Sequence, residues 1–382
     1  MPVRTFDAVV VGAGPAGSLT AYRLAGAGAS VLLLDKARFP RDKPCGGGLT
    51  FRAVRQLPFS VEPVVEDVVD RFELRLRYGR SFERSSDSPL CLMTQRSRLD
   101  EYLARQAGEA GAEFRDGVDV AFDEGDVLVG GDRFGARVLV GADGANGKTA
   151  RTFGLGNGHG YGVALEGNAP LADAYRGKLV LELGVVPGGY GWVFPKGDHM
   201  NVGVGGWQRE GPHLRAHLRR LCEVHGVDVE ALTALRGYRL PYRRESAAIA
   251  RDNVVLVGDA AGLVDPLTGD GMYEAFVSAR VASDSILSDD LASYEPSLAA
   301  ELGGMHAASW SAKYALDRFP RLTFGIAGAP FAWGVIARIV RGDLDDPTKA
   351  RGLGRAPLKA MDRLGRLSRR GSHRHDGAPD ER

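Results

Sequence analysis

The residues of this chain whose types and spacing could do chemistry are Gly12-x-Gly14-x-x-Gly17, Asp35, Cys45 in a proline- and glycine-rich loop, and Gly258-Asp259. The glycine triplet follows the apolar run Ala8 to Val11 directly, and a helix-compatible segment continues to Gly28 before a second apolar run, Val31 to Leu34, ends in Asp35. Strand, helix, strand and terminal carboxylate make a βαβ unit with a dinucleotide fingerprint. Gly12 permits the tight turn, Gly14 lets the backbone approach a pyrophosphate, and Gly17 lets helix and strand pack closely. The diphosphate then rests on a helix N-terminus and Asp35 accepts hydrogen bonds from a ribose.

The elements that position these groups follow in order. Lys36 to Thr50 is a loop by its proline and glycine content, with a short helical pattern to Leu57. Val68 to Arg84 alternates about Tyr78-Gly79-Arg80, as a β-hairpin does, and Leu90 to Thr94 reads as another strand. Arg98 to Ala110 is helical in pattern, and short strands cover Glu113 to Phe122, Val127 to Val129 and Val138 to Val140. Residues 160–206 are strands between glycine and proline turns, Pro212 to His225 is a helix, and Tyr238 to Tyr242 is a strand. The apolar run Asn253 to Val257, of the kind buried in a parallel sheet, leads into Gly258-Asp259 and a helix from Tyr273 to Leu287. Tyr294 to Phe319 is helical, and 371–382 has the composition of a disordered tail.

Several other chemistries are excluded. Gly141-Ala-Asp-Gly-Ala-Asn-Gly147-Lys148-Thr149 imitates a P-loop but carries alanine at 142, where the required spacing needs glycine. His213 and His217 are one helical turn apart without the glutamate of a zinc motif and among arginines, so no metal is expected. Three scattered cysteines fit a reducing compartment, and no signal peptide precedes the first strand, so the expected location is cytoplasmic. With 382 residues, 44% hydrophobic, 25% charged and a net charge of +1, the chain has material for a sizeable core and gives no electrostatic case for nucleic acid. The uncharged run Leu322 to Ala337 is too short to span a bilayer and contains Pro330, so it is expected to be buried or to lie at a membrane surface.

Four ordered segments make the chain resemble flavoproteins of the para-hydroxybenzoate hydroxylase type. These are Gly12-x-Gly14-x-x-Gly17, Arg96-x-x-Leu99-Asp100-x-x-Leu103, Gly141-Ala-Asp143-Gly144, and Gly258-Asp259 with Asp265-Pro266 and Gly269-x-Gly271. Pro40-x-x-Lys43-x-Cys45-Gly46-Gly47-Gly48 and Tyr190-x-Trp192-x-Phe194-Pro195, followed by Gly203-x-Gly205, narrow the resemblance to the geranylgeranyl reductase family. The resemblance covers residues 1 to about 290.

It implies an α/β fold: a Rossmann-like FAD-binding domain (1–70, 95–160, 245–290), an inserted antiparallel β-sheet substrate domain (71–94, 161–244) and a C-terminal helical region (291–370). FAD is the implied cofactor. Asp259 would hold a ribityl hydroxyl, Arg96 would sit near the phosphates or ribityl chain, the backbone of Gly271 and Met272 would approach the flavin ring, and the backbone near Val118 would meet the adenine. Pro15, Ala16, Lys36, Cys45, Gly46, Gly48, Asp143, Pro266 and Gly269 complete the implied cofactor contacts. Asp35 stands where glutamate is more usual, and Lys148 where serine is common.

Alternation puts Tyr190, Trp192 and Phe194 on one strand face, and with Trp207 they are expected to wall an apolar substrate pocket, the alternative being an ordinary core. The expected activity is FAD-dependent saturation of double bonds in a prenyl chain, geranylgeranyl-like, on a lipid, a diphosphate or a quinone. The proton donor is open between Cys45, reduced flavin and an ordered water. The electron donor is open between NAD(P)H and a ferredoxin, because the chain has one dinucleotide fingerprint. A monooxygenase or halogenase of the same fold is the competing reading, the latter echoed by Trp192 to Pro195. A prenyl-binding protein without catalysis is a minor one, disfavoured by the presence of Gly14, Asp35, Asp143 and Asp259. Arg338, Arg341 and the basic stretch Lys349 to Arg370 could rest peripherally on an anionic cytoplasmic leaflet.

Overall fold

The structure, a computed structural model, describes residues 3–123, 125–244, 247–344, 349 and 355–369. The tail expected at 371–382 lies outside the described residues. Strand Arg4–Val11 pairs in parallel with Val31–Leu34 on one side and Asp132–Gly141 on the other, so that Val9 lies opposite both Leu32 and Leu139. Glu113–Arg115 and Val254–Leu256 extend the parallel array at its two sides, and the sheet reaches eight strands with Ala250–Arg251 and the hairpin Val120–Asp123/Asp126–Val129. Val31–Leu34 is buried at every position. A parallel strand covered on both faces has no solvent side to alternate toward, which explains its unbroken apolar run.

Helix α1 (Pro15–Gly26) starts beyond Gly14 with proline at its first turn, as a residue lacking an amide hydrogen should. It is followed by the single turn α2 (Phe51–Val54), by α3 (Arg96–Glu109), which packs on α1, and by the single turn α4 (Thr149–Thr152). The chain then builds a second sheet of seven strands, in the order 233–242, 160–170, 199–207, 190–195, 178–183, 71–76 and 81–85. Helix α5 (Leu214–His225) covers one face, setting Leu214, Leu218 and Leu221 against Val193, Val202 and Val204.

Two details correct the sequence expectation. The inserted sheet is not wholly antiparallel, because Lys178–Leu183 runs parallel to Arg71–Leu76. The hairpin at 71–85 arrives from an earlier passage of the chain, and no tight turn forces opposite directions on the two strands. The segment expected at 90–94 does not join that sheet either. Cys91–Thr94 lies between Gly48–Thr50 and Val65–Val69 in a separate three-stranded sheet, with Leu92 opposite both Leu49 and Val68. Cys91 and Met93 are buried there, so this small sheet anchors the end of the loop that carries Cys45.

Helix α6 (Met272–Leu287) returns to the first sheet and packs on α1. The helical region that follows consists of α7 (Tyr294–Arg318), α8 (Pro320–Gly328), α9 (Pro330–Arg341) and α10 (Arg355–Arg369). The run Leu322 to Ala337 is therefore two helices, broken at Ala329–Pro330 and bent by 84°. Thr323, Phe324, Ala332 and Val335 face inward, while Leu322 and Phe331 are about half exposed. No single helix among the described residues is long and apolar enough to cross a membrane.

Candidate functional site

One continuous cavity of about 2740 Å³ runs from the glycine triplet, between the two large sheets, to the far side of α7. Ordinary small-ligand sites occupy about 300–1,000 Å³, so the space is large enough for a dinucleotide and a second long molecule together.

At one end the backbone is fixed by steric necessity. Gly12 has φ +107°, and a Cβ there would stand 2.3 Å from the Ala142 carbonyl oxygen; a Cβ on Gly17 would stand 1.8 Å from the Gly12 oxygen. Gly14 faces open space bounded by Arg41, whose nearest nitrogen would be 3.5 Å from an added Cβ. No side chain caps α1 and its first turn holds no acid, so its leading amides face the cavity available for an anion. Pro15, Ala16 and Lys36 also line this end. Asp35 is buried there and accepts hydrogen bonds from the Ala13 amide (2.8 Å) and the Ala37 amide (2.9 Å). It therefore braces the glycine loop and keeps its remaining lone pairs for the cavity. Val118 also lines it, but its amide is spent on the Asp35 carbonyl (3.0 Å).

Arg96 is buried and bidentate to Asp100 one helical turn on, at 2.8 and 2.7 Å, and Arg41 reaches the same carboxylate at 2.7 Å. Burial works against the Arg96 charge, yet the Asp100 carboxylate keeps it firmly protonated. Asp143 faces inward too, although one oxygen is committed to α4, accepting from the Lys148 amide (2.7 Å), the Thr149 amide and the Thr149 hydroxyl (both 2.9 Å). Its other oxygen is buried without a partner. In the P-loop imitation the Asp143 carboxylate itself takes the amides at the start of α4.

Midway, Asp259 accepts from Lys43 Nζ at 3.0 Å and from the Tyr238 hydroxyl at 3.1 Å. Burial opposes its charge, but Lys43, Arg96 and the tyrosine outweigh burial and hold the carboxyl below the usual range. Pro266, Gly269 and Gly271 form the adjoining turn, and a Cβ on Gly271 would come within 3.1 Å of Asp259. Met272 lines the cavity at the start of α6, its amide donating to Asp270 (2.8 Å).

Opposite, Tyr190, Trp192 and Phe194 share one face, with ring centroids 6.0 and 6.3 Å apart in succession. Trp192 donates from its indole nitrogen to Asn201 at 2.7 Å, which fixes the ring. Gly46 packs against this wall, since an added Cβ would be 2.8 Å from Phe194; Gly48 lies close to Cys91. Cys45 is partly exposed to the cavity. Its amide donates to Glu166 (2.7 Å), its carbonyl accepts from Lys196 (3.1 Å), and its sulfur accepts from the Gly47 amide (3.4 Å). Trp207 is not part of the wall. It is 2% exposed, stacked on Trp310 at 6.4 Å, and it donates to Asp317 at 3.2 Å. It ends its strand beyond the span opposite the wall strand, where α7 covers it, so it belongs to the core between sheet and helix.

Beyond the wall the cavity becomes mostly apolar, lined by Leu302 and Leu316 of α7, Ile326 of α8, Val335 and Ile336 of α9, and Leu358 and Met361 of α10. Arg41, Tyr238, Glu166 and Lys196 contribute to the site without having been singled out by sequence, and Lys43 was named there only as part of the Pro40 to Gly48 motif. Tyr238 had a signal, since with Leu240 and Tyr242 it alternates on the cavity face of its strand. Arg41 and Lys43 sat in a loop notable for its composition. Glu166, on strand Gly160–Pro170, and Lys196, just past strand Tyr190–Pro195, gave none.

The model of an FAD binding domain matches residues 5–279. A nucleotide-binding sheet with this cradle, joined to a second sheet that roofs one cavity, defines an FAD-dependent oxidoreductase. Among its relatives the chain is 35% identical over 329 residues to a menaquinone reductase of Mycobacterium tuberculosis (78% of this chain, 80% of the relative). It is 31% identical over 297 residues to a geranylgeranyl diphosphate reductase of Rhodobacter capsulatus (74% and 75%). A solved structure from Thermoplasma acidophilum, described as geranylgeranyl bacteriochlorophyll reductase-like, superposes with a TM-score of 0.78 at 24% identity, covering 97% of this chain and 99% of that one. The chain belongs to the geranylgeranyl reductase family of FAD-binding proteins.

Proposed function

We propose that the protein saturates carbon–carbon double bonds of a prenyl chain, geranylgeranyl-like, carried by a lipid, a diphosphate or a quinone. The observation that carries this reading is the continuity of the cavity, which passes from a phosphate-binding cradle by a three-ring wall into an apolar chamber under α7–α10. The names of its relatives, geranylgeranyl diphosphate reductase and menaquinone reductase, support it.

The residues at the site fit FAD. Gly12, Gly14, Pro15, Ala16 and Gly17 would receive the pyrophosphate, with Arg41 as its nearest cation, and Asp35 and the backbone near Val118 would take the adenosine half. Lys36 would lie beside the adenosine half with Asp35; Arg96, Asp143 and Asp259 would line the ribityl chain, and Gly46, Gly48, Pro266, Gly269, Gly271 and Met272 would close around the ring system. Bound and reduced, the flavin supplies a hydride. The rest is the work of the protein. An isolated prenyl alkene is electron-rich, so a proton must arrive before or with the hydride, and positive charge develops on a tertiary carbon. The faces of Tyr190 and Trp192 can stabilise that charge by about 1–2 kcal/mol each in a dry site. Phe194 and the apolar chamber exclude water that would otherwise capture the cation. Cys45 packs beside the wall; a thiol of reference pKa about 8.5 is a weak acid toward an alkene. Cys45→Ala is expected to retain turnover and flavin.

On α10, Arg355, Lys359, Arg363 and Arg366 are exposed, and the half-exposed Leu322 and Phe331 lie at the α8 and α9 starts. A peripheral contact with an anionic leaflet would let a lipid-borne chain enter the chamber from the membrane.

The test is mass spectrometry of lipids from cells with and without the protein, together with purified holoprotein assayed with NADH, NADPH or reduced ferredoxin in the absence of oxygen. Prenyl lipids heavier by steps of two hydrogens, formed anaerobically, are expected. Strict dependence on oxygen would favour a monooxygenase or halogenase instead.

A further inference from the structure

A second cluster of ionisable side chains lies beside the aromatic wall, and none of the roles above uses it. Arg52 of α2 stands 3.6 Å from Asp270 and 3.9 Å from Glu274, and His306 of α7 stands 3.8 Å from Glu274. Glu274 has no solvent exposure, and neither of its oxygens has a hydrogen-bond partner; His306 Nε2 also lacks one. A third carboxylate, Asp265, is buried alongside but fully satisfied, by the Leu267 and Thr268 amides and by the Thr268 and Ser309 hydroxyls. Of these groups Asp265, Asp270, Arg52 and His306 line the cavity.

The charges do not balance if every acid is ionised. Asp265, Asp270 and Glu274 face one permanent cation, Arg52. The other cation nearby, Lys313, is buried at the Gly188 carbonyl and faces Asp317 as well as Asp265. Cys91 and the Tyr190 hydroxyl also face Asp270 and are both neutral, being held protonated by burial and by that carboxylate. Like charges this close in a dry site cannot all form, so one carboxyl retains its proton at neutral pH. Burial, with the neighbouring acids, raises Glu274 to about 7 against the opposing pull of His306 and Arg52. Burial raises Asp270 as well, outweighing Arg52 and the Met272 amide.

We infer that Asp270 is the proton donor of the alkene reduction, delivering a proton that is stored on Glu274 and replenished through His306. The inference rests on the reading of the site as a prenyl reductase. Asp270 lies between the Gly269 and Gly271 positions that would close on the flavin ring, and it faces the Tyr190 side of the wall. In the step, the one stored proton passes from Glu274 to the Asp270 carboxylate, the Asp270 O–H bond then breaks and a C–H bond forms at the less substituted alkene carbon. The positive charge left on the tertiary carbon is quenched by the hydride, so two electrons and two hydrogens are added. Asp270 is left as the carboxylate it was at rest, and Glu274 regains its proton through His306, whose side chain is 20% exposed. Arg52 acts as a positioning residue, its guanidinium held over the Tyr273 ring at 4.4 Å.

Two measurements test this. Infrared titration of the holoprotein, independent of any substrate, should show the carbonyl band of a protonated carboxylic acid that disappears around neutral pH and is missing in Glu274→Gln. Its absence in the wild type at mildly acidic pH would overturn the stored proton. Anaerobic mixing of reduced holoprotein with geranylgeranyl diphosphate should then give flavin reoxidation that falls on the order of 10²–10⁴-fold in Asp270→Asn at equal flavin content. Glu274→Gln should move the alkaline limb of the pH–rate profile to lower pH. An active wild type with an unchanged rate in Asp270→Asn and an unchanged profile in Glu274→Gln would overturn the proton route while leaving the reductase reading intact. A wild type that never reoxidises with prenyl substrates would remove the reductase reading, and the assignment of Asp270 with it.

Discussion

The two ends of the cavity are built on opposite principles. At the cradle the constraint is backbone against backbone: Gly12 and Gly17 leave no room for a methyl group, and the first amides of α1 have no side-chain cap. Beside the wall, side chains are brought together from distant parts of the chain, with Arg52, Asp270, Glu274 and His306 meeting from a single turn, a loop and two helices. The first kind of site tolerates almost no change at a few positions. The second can be retuned residue by residue, which fits a fold whose cofactor is shared while substrates differ.

The sharpest way to break the contrast is Gly17→Val. With a Cβ required 1.8 Å from the Gly12 carbonyl, the loop or α1 must shift. Loss of bound FAD and destabilisation of about 4 kcal/mol or more are expected in flavin absorbance and denaturant titration. Next come the two buried tryptophans. Trp207→Ala should cost about 3–5 kcal/mol of stability, because the ring is core between sheet and α7. Trp192→Ala should retain FAD but slow alkene turnover about 5- to 30-fold, the loss of one cation–π contact. An equal effect of both on turnover would erase the distinction between wall and core.

A smaller effect concerns pH. The Glu274 carboxyl is raised from 4.5 to about 7 in the folded protein, so between those values the folded chain binds the proton that the unfolded chain has lost. Its contribution is fully present below about pH 4.5 and is lost as pH rises through about 7, a decline of about 3 kcal/mol. Thermal unfolding of wild type against Glu274→Gln should show that this part of the decline disappears in the variant. Smallest is the outer surface of α10. Replacing Arg363 by glutamine should weaken pelleting with anionic liposomes by about 1 kcal/mol and leave flavin content unchanged.

The same contrast decides what could be read from sequence. The βαβ unit, the Gly258-Asp259 turn and the aromatic alternation of Tyr190 to Phe194 are local patterns, and each has its physical reason within about thirty residues. The chain direction of Lys178–Leu183 and the displacement of Cys91–Thr94 into a small separate sheet depend on pairing partners far along the chain. Trp207 shares the type and strand setting of Trp192, and it is separated from the wall by the placement of α7, which no spacing on its own strand encodes. Glu274 reads as an ordinary residue of an amphipathic helix. Its peculiarity, two buried oxygens without partners, exists in three dimensions alone.

The most direct test of the central claim is to reduce the FAD-loaded protein chemically, remove oxygen, and add geranylgeranyl diphosphate or a prenylated quinone while following flavin absorbance and product mass. The account predicts return of oxidised flavin in step with a product heavier by two hydrogens per turnover. Flavin that stays reduced with every prenyl substrate, and is reoxidised when oxygen is admitted, would contradict it.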